Sequence, residues 1–113
     1  MNGKPTPNQP NIQRVTPEEL RLRFNEGNYW TKAQAGDLKE VVLESCISTA
    51  LADKESVQIT SEMVSYRDKT TDEEVARIHQ YKRPDGTLAA SGKPDPKRLL
   101  EDGILYRLEK KKK

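Results

Sequence analysis

The sequence predicts a single α+β domain in which two N-terminal helices pack on a small antiparallel β-meander of three to four strands. The chain has 113 residues, a length typical of one domain. Its N-terminal half contains two helix-capping patterns, each followed by apolar residues at spacings of three and four. Its C-terminal half alternates apolar and polar residues between turn sequences, which is typical of antiparallel strands.

The composition predicts that the folded part is smaller than the chain. Hydrophobic residues make up 33% of the sequence and charged residues 34%, so some segments bury too little apolar surface to offset the cost of ordering. Residues 1–13 contain three prolines and no periodicity, and residues 110–113 are all lysine. We therefore expect a disordered arm over 1–13, one domain over 14–109 and a disordered tail over 110–113.

The first helix is predicted over Pro17–Glu26. Thr16 is a good N-cap, Pro17 suits the first helical position, and Glu19 completes a capping box. Gly27 is a typical helix terminator. The following connector, 28–36, carries Tyr29 and Trp30, which we expect to pack on the core because large aromatic side chains favour burial.

A second helix is predicted over 38–52. Asp37 and Glu40 form another capping box, and apolar residues recur at spacings of three and four. The β-branched pair Val41 and Val42 leaves open a strand that begins near Lys39. On the predicted helix Cys46 faces the apolar stripe, so we expect a buried thiol.

The remainder predicts strands and turns. The expected strands are 57–59, 63–66, 75–82, 87–90 and 104–108. Turns are expected at 67–73, at 84–86 and at 102–103, and a short helical turn is expected over 95–100, where Asp95 would cap and Pro96 would start it. In the strand 75–82, alternation places Val75, Arg77, His79 and Tyr81 on one face.

Positive charge is concentrated in one part of the chain. Residues 75–100 contain six basic and two acidic residues, a local net charge of +4, whereas the whole chain carries +2. A surface of this kind attracts polyanions. The sequence therefore predicts a non-enzymatic binding or accessory protein whose basic surface, Arg77 to Arg98, binds nucleic acid or an acidic protein. The predicted binding residues are Tyr81, Lys82, Arg83, Lys93, Lys97 and Arg98.

Two other functions remain open at this stage. The first is a small metal-independent nuclease with His79 as the acid or base, Arg77 stabilising phosphorane charge and Tyr81 beside them. The second is a homo-oligomeric structural module, such as a homodimer, in which a sheet edge pairs with a second copy.

Several kinds of site have no sequence signal. One histidine and one cysteine cannot form a typical zinc site, and no phosphate-binding glycine loop is present, so no metal and no cofactor are predicted. A single cysteine precludes an intramolecular disulfide. No apolar run approaches the roughly 20 residues that cross a bilayer, and the N-terminus lacks a secretory pattern. We therefore expect a cytoplasmic protein with no membrane partner.

Overall fold

The structure, a computed structural model, describes residues 11–48 and 57–110. These residues form six strands and two short helices. In chain order the elements are β1 (Asn11–Val15), α1 (Pro17–Glu26), α2 (Tyr29–Gln34), β2 (Leu38–Ile47), β3 (Thr60–Asp68), β4 (Glu74–Lys82), β5 (Asp95–Glu101) and β6 (Ile104–Leu108).

All six strands belong to one mixed sheet in the order β1-β6-β5-β4-β3-β2. β1 runs parallel to β6, and every other neighbouring pair is antiparallel. The predicted fold class, two helices on a meander of three to four strands, is therefore wrong. Strands dominate because three of them were not predicted. β1 begins in the predicted arm, β2 lies where a helix was predicted, and β5 lies where a helical turn was predicted.

The strand β1 spans the predicted boundary between the disordered arm, 1–13, and the domain, 14–109. Asn11–Val15 pairs with β6 along its whole length, and the backbone N–H of Asn11 donates to Gly103 O at 3.2 Å. Only Val15 of this strand is buried, so its sequence lacks the alternation of apolar and polar residues that would predict a strand. Residues 1–10 and 111–113, which include the rest of the predicted arm and most of the predicted tail, lie outside the described residues.

Helix α1 confirms the sequence prediction. The backbone N–H of Glu19 donates to Thr16 Oγ1 at 3.1 Å, which satisfies one of the free donors at the helix start. Gly27 ends the helix, and its N–H donates to Arg23 O. Leu20 and Phe24 are buried.

The connector predicted over 28–36 instead contains the helix α2. Asn28 adopts a left-handed conformation with φ of 56°, which redirects the chain between the two helices. Tyr29 and Trp30 are half-buried and pack against the core, as expected. The Tyr29 hydroxyl donates to Glu101 at 2.7 Å and so ties α2 to β5.

β2 replaces the helix predicted over 38–52. The strand pairs with β3, and a bulge shifts the register between Val42 and Glu44. Because this bulge reverses the alternation of faces, the apolar residues of β2 repeat at spacings that resemble a helix. Cys46 is exposed on this edge strand, so its predicted burial is wrong. Residues 49–52 of the predicted helix lie outside the described residues.

β5 replaces the short helical turn predicted at 95–100. The Asp-Pro pair at its start is typical of a helix N-terminus. Here Pro96 lies instead at a bulge, where the pairing with β4 shifts register between Arg77 and Ile78. Bulges are among the few places that accept proline within a sheet.

The other predicted strands and turns are mostly confirmed. Strands β3, β4 and β6 include the expected residues, while 57–59 is irregular and 87–90 contributes only a bridge between Lys82 and Leu88. Gly86 N–H donates to Arg83 O at 2.9 Å and closes the expected turn. Asp102 and Gly103, with φ of 50° and 77°, form the tight turn between β5 and β6.

The two helices cover one face of the sheet, here called the helix face. The buried core consists of Val15, Leu20, Phe24, Ala33, Val64, Tyr66, Ala76, Ile78, Leu99 and Tyr106. The opposite side of the sheet, the open face, carries the alternate residues of the same strands, among them Arg77 and His79. Among the described residues, the two helices are too short and too polar to cross a membrane.

Candidate functional site

Four arginines form a continuous row across the open face. Arg14 on β1 is the pairing partner of Arg107 on β6, and Arg107 is in turn the partner of Arg98 on β5. Arg98 is the partner of Arg77 on β4. Directly opposed residues on neighbouring strands project to the same side of a sheet. These residues, Arg14, Arg77, Arg98 and Arg107, are called the arginine row.

The dimensions of the arginine row follow from the sheet. Neighbouring strands lie about 4.8 Å apart, so the row crosses four strands over roughly 14 Å. Like charges on directly opposed residues destabilise a sheet. The row therefore lowers the stability of the free protein unless counter-charges offset it.

Arg77 has such a counter-charge. Its Nε donates to Glu74 Oε2 at 3.1 Å, and the same carboxylate oxygen accepts from the Ser65 hydroxyl at 2.6 Å. Ser65 is buried, and its oxygen also accepts from Arg67 Nε at 3.1 Å. This network fixes one edge of the Arg77 guanidinium and leaves its terminal nitrogens for another acceptor.

The other three arginines have no carboxylate partner among residues 11–48 and 57–110. Arg14 donates to Leu108 O at 3.2 Å. Burial lowers the pKa of Arg98, the charges of Arg77 and Arg107 lower it further, and the charge of Glu74 raises it in part. Arginine stays protonated despite such shifts. The crowding therefore marks a surface where an anion would be favoured.

Lys97 lies beside the arginine row and is a fifth cation on this part of the open face. It is the extra residue of the β5 bulge, because Arg98 pairs with Arg77 and Pro96 pairs with Ile78. Its ammonium lies 3.0 Å from Asp95 Oδ2. A cavity of about 320 Å³ is lined by Arg14, Met63, Arg77, Lys97, Arg98, Arg107 and Leu108, so all five cations surround one depression.

Two further cavities adjoin this depression. One of about 390 Å³ lies between β2 and β4. One of about 680 Å³ lies where β4 extends beyond the start of β5, and it reaches round the sheet edge to Arg21 and Asn25 of α1. Met63 lines all three cavities, and His79 lines the two larger ones. The open face is therefore recessed around Met63, with the arginine row on one side.

His79 has defined neighbours in this recess. Its Nε2 lies 2.7 Å from Ser61 Oγ, and its ring meets the Tyr81 ring edge-on with centroids 4.8 Å apart. Burial lowers the pKa of His79, and Lys97 lowers it further, whereas Asp95 raises it. A neutral ring can accept a hydrogen bond from the Ser61 hydroxyl at Nε2.

The residues Ser61, His79 and Asp95 follow one another across β3, β4 and β5. The Asp95 carboxylate, however, binds Lys97 and lies 3.7 Å from Arg21, and within the described residues no hydrogen bond joins it to the His79 ring. A nucleophilic serine needs a histidine that a third group orients. The observed hydrogen bonds support a structural pair more directly than a catalytic triad.

The predicted binding residues separate into two groups. Tyr81, Lys97 and Arg98 lie on the open face with the nuclease candidates Arg77 and His79. The others, Lys82, Arg83 and Lys93, lie at the end of β4 and in the loop that follows it.

The contacts of this second group differ from those of the arginine row. Arg83 is engaged locally, because its guanidinium donates to Leu88 O at 2.8 Å. Lys93 is exposed and lines the cavity of about 680 Å³. Lys82 and Arg83 therefore lie apart from the arginine row, whereas Lys93 borders the cavity beside His79 and Tyr81.

Sequence reasoning missed Arg14 and Arg107. The alternation of 104–108 already places Arg107 opposite Ile104, Tyr106 and Leu108, which was a usable signal. Arg14 had none, because no strand was predicted over residues 11–15. Within the described part of the chain, histidine, cysteine and carboxylate side chains form no group of three that could hold a metal ion.

Protein-family models, curated proteins and solved structures show no match to this chain.

Proposed function

We propose that the protein is a non-enzymatic nucleic-acid-binding protein that contacts phosphate groups with the arginine row. The observation that carries the proposal is the alignment of Arg14, Arg107, Arg98 and Arg77 across four neighbouring strands. Guanidinium groups match the geometry of phosphate oxygens and bind them with charge-assisted hydrogen bonds.

The energetic cost of the arginine row supports a ligand. Four opposed cations destabilise the free sheet, and only Arg77 is paired with a carboxylate among the described residues. An anionic ligand would remove this repulsion on binding. The total charge of +2 is small, so it is the arrangement of the cations, rather than their number, that favours a polyanion.

The regularity of the row favours nucleic acid over an acidic protein. Its cations recur at the strand spacing of about 4.8 Å along a line, which suits a ligand whose charges also recur along a chain. An acidic partner therefore becomes one of the outcomes of the test.

The test is a fluorescence-anisotropy titration of a labelled oligonucleotide at low salt. The variant Arg98→Gln/Arg107→Gln should bind at least about tenfold more weakly, since hydrogen bonds to charged groups contribute about 1.5–3 kcal/mol each. The matched control, Lys32→Gln/Lys82→Gln, removes the same charge from residues that line none of the three cavities and should change the affinity far less.

Three outcomes would overturn the proposal. The wild-type protein fails to bind any oligonucleotide at low salt, where attraction is strongest. Alternatively, both double variants lose affinity equally, which would indicate a diffuse charge effect. Lastly, polyglutamate displaces the oligonucleotide as effectively as unlabelled oligonucleotide does, which would indicate an acidic protein partner.

The second candidate function is a metal-independent nuclease, which the contact between Ser61 and His79 favours. His79 would transfer the proton and Arg77, nearby on the same face, would stabilise the phosphorane charge. Labelled RNA incubated with excess chelator tests it. Cleavage by the wild-type protein that His79→Ala abolishes, with polyphosphate binding intact, would support the enzyme; no cleavage would exclude it.

A further inference from the structure

Three residues of the recess beside the arginine row, Met63, His79 and Tyr81, suit a flat, weakly polar group. Charged side chains, among them Arg21, Lys93, Asp95 and Lys97, also line its largest part. Met63 and His79 are pairing partners on β3 and β4, and Tyr81 follows His79 on the same face. The rings of His79 and Tyr81 are packed edge to face. Because the pKa of His79 is lowered, its ring is mainly neutral near pH 7.

The distance between this recess and the cations is set by the strand. Arg77 and His79 are two residues apart on one face of β4, which corresponds to about 6.6 Å. The depression of the arginine row and the two larger cavities share Met63 as a wall. A ligand with an anionic group and a planar group one short linker apart would therefore contact both regions at once.

Duplex and single-stranded nucleic acids differ in whether the flat faces of their bases are exposed. In a duplex the faces of the bases are covered by their neighbours, and proteins read the edges with an element inserted into a groove. In a single strand the faces are free to stack on aromatic side chains. Among the described residues, the open face offers a recess and no protruding helix.

We propose that the open face binds single-stranded nucleic acid, with phosphates on the arginine row and a base against Met63, His79 and Tyr81. This inference rests on the proposed function and specifies its ligand. It assigns Tyr81 the role of a stacking surface, so removal of its ring lowers affinity for single strands without changing affinity for a ligand made of phosphate alone.

The experiment compares three ligands on the full-length protein: a labelled single-stranded oligonucleotide, the same sequence as a duplex, and inorganic polyphosphate as a competitor. The wild-type protein should bind the single strand more tightly than the duplex. Tyr81→Leu should weaken single-strand binding by about 5- to 150-fold, which corresponds to the stacking contribution of one base. Its affinity for polyphosphate should be unchanged.

Tyr81→Phe is the matched control, because it keeps the ring and should bind the single strand as the wild-type protein does. Equal affinity of the wild-type protein for single strand and duplex would overturn the inference without any variant. Unchanged single-strand affinity in Tyr81→Leu would also overturn it. In both cases binding that depends on Arg98 and Arg107 would leave the proposed function standing, whereas absence of binding to all three ligands would overturn both.

Discussion

The four arginines of the row differ in what holds them. Arg77 is bound by Glu74 and lies beside the buried Ser65, so its guanidinium is positioned before any ligand arrives. Arg98 lies between Arg77 and Arg107 with no carboxylate partner in the described part of the chain. One arginine therefore contributes to the fold, whereas the other is repelled by its neighbours.

This difference predicts opposite effects on stability. Arg98→Gln should raise the free energy of unfolding at low salt by about 0.2–1 kcal/mol, because it removes a directly opposed like charge. The increase should shrink at high salt, where repulsion is screened. Urea titrations at two salt concentrations measure both effects.

Arg77→Gln is the matched comparison. It leaves the carboxylate of Glu74 without its cation beside a buried hydroxyl, so its free energy of unfolding should fall. If Arg98→Gln were as destabilising as Arg77→Gln, the repulsion ascribed to the arginine row would be wrong.

His79 predicts a pH dependence of stability. Its folded-state pKa is lowered from an unfolded value of about 6.5, so the unfolded state binds more protons. The stability due to the neutral ring is therefore fully present above about pH 6.5 and is lost as pH falls through the folded pKa. His79→Gln should lose less stability than the wild-type protein between about pH 7.5 and pH 5.

Urea unfolding of both proteins across this range measures the difference, since the carboxylates titrate in both and cancel. Identical pH dependence of the two proteins would show that burial and Lys97 do not shift the pKa of His79.

At the scale of secondary structure, the turn between the two helices depends on Gly27. A Cβ atom built on Gly27 would overlap the ring of Tyr29. That ring is held by stacking on Phe24 and by its hydroxyl bond to Glu101, so it has little freedom to move away. The absence of a side chain at Gly27 is therefore a packing requirement, since its φ of −82° is accessible to any residue.

Gly27→Ala should consequently lower the free energy of unfolding by about 1–3 kcal/mol. Thermal unfolding of the single variant and of the pair with Tyr29→Ala measures the interaction, because the penalty should largely vanish once the ring is removed. A penalty that persists in the absence of the ring would show that the overlap is not its cause.

The same scale explains which elements the sequence predicts. β4 was predictable because apolar and polar residues alternate from Ala76 to Tyr81 and turns bound it on both sides. Val75, predicted to share a face with Arg77, instead packs against the core, because a bulge at this position shifts the register between β4 and β3. β2 was not, because the bulge near Leu43 changes a period of two into spacings typical of a helix. β5 was not, because Asp95 and Pro96 match a helix start unless their pairing with β4 is known.

The candidate site was predictable only in part for a related reason. Lys97 and Arg98 were found by local charge, but Arg14 and Arg107 join them only through the sheet order, which places β1 next to β6. That order brings together residues from opposite ends of the chain, and local sequence patterns carry no information about it.

At the scale of the whole molecule, the fold divides its residues between two faces with different roles. The core lies between the helix face and the two helices α1 and α2. The cations of the arginine row and Lys97 lie on the open face, outside the core. With a total charge of only +2, the protein has little long-range attraction for polyanions. Its affinity must then come from direct contacts between phosphate groups and the arginine row.

The salt dependence of binding tests this central claim most directly. Each phosphate contact with a single strand contributes about 0.7 to the slope of log affinity against log salt, so four arginines predict a slope near −2.8. The variant Arg98→Gln/Arg107→Gln should reduce the slope by about 1.4, while Lys32→Gln/Lys82→Gln should leave it unchanged. A slope that is the same in the wild-type protein and in the arginine double variant would contradict the assignment of phosphate binding to this row.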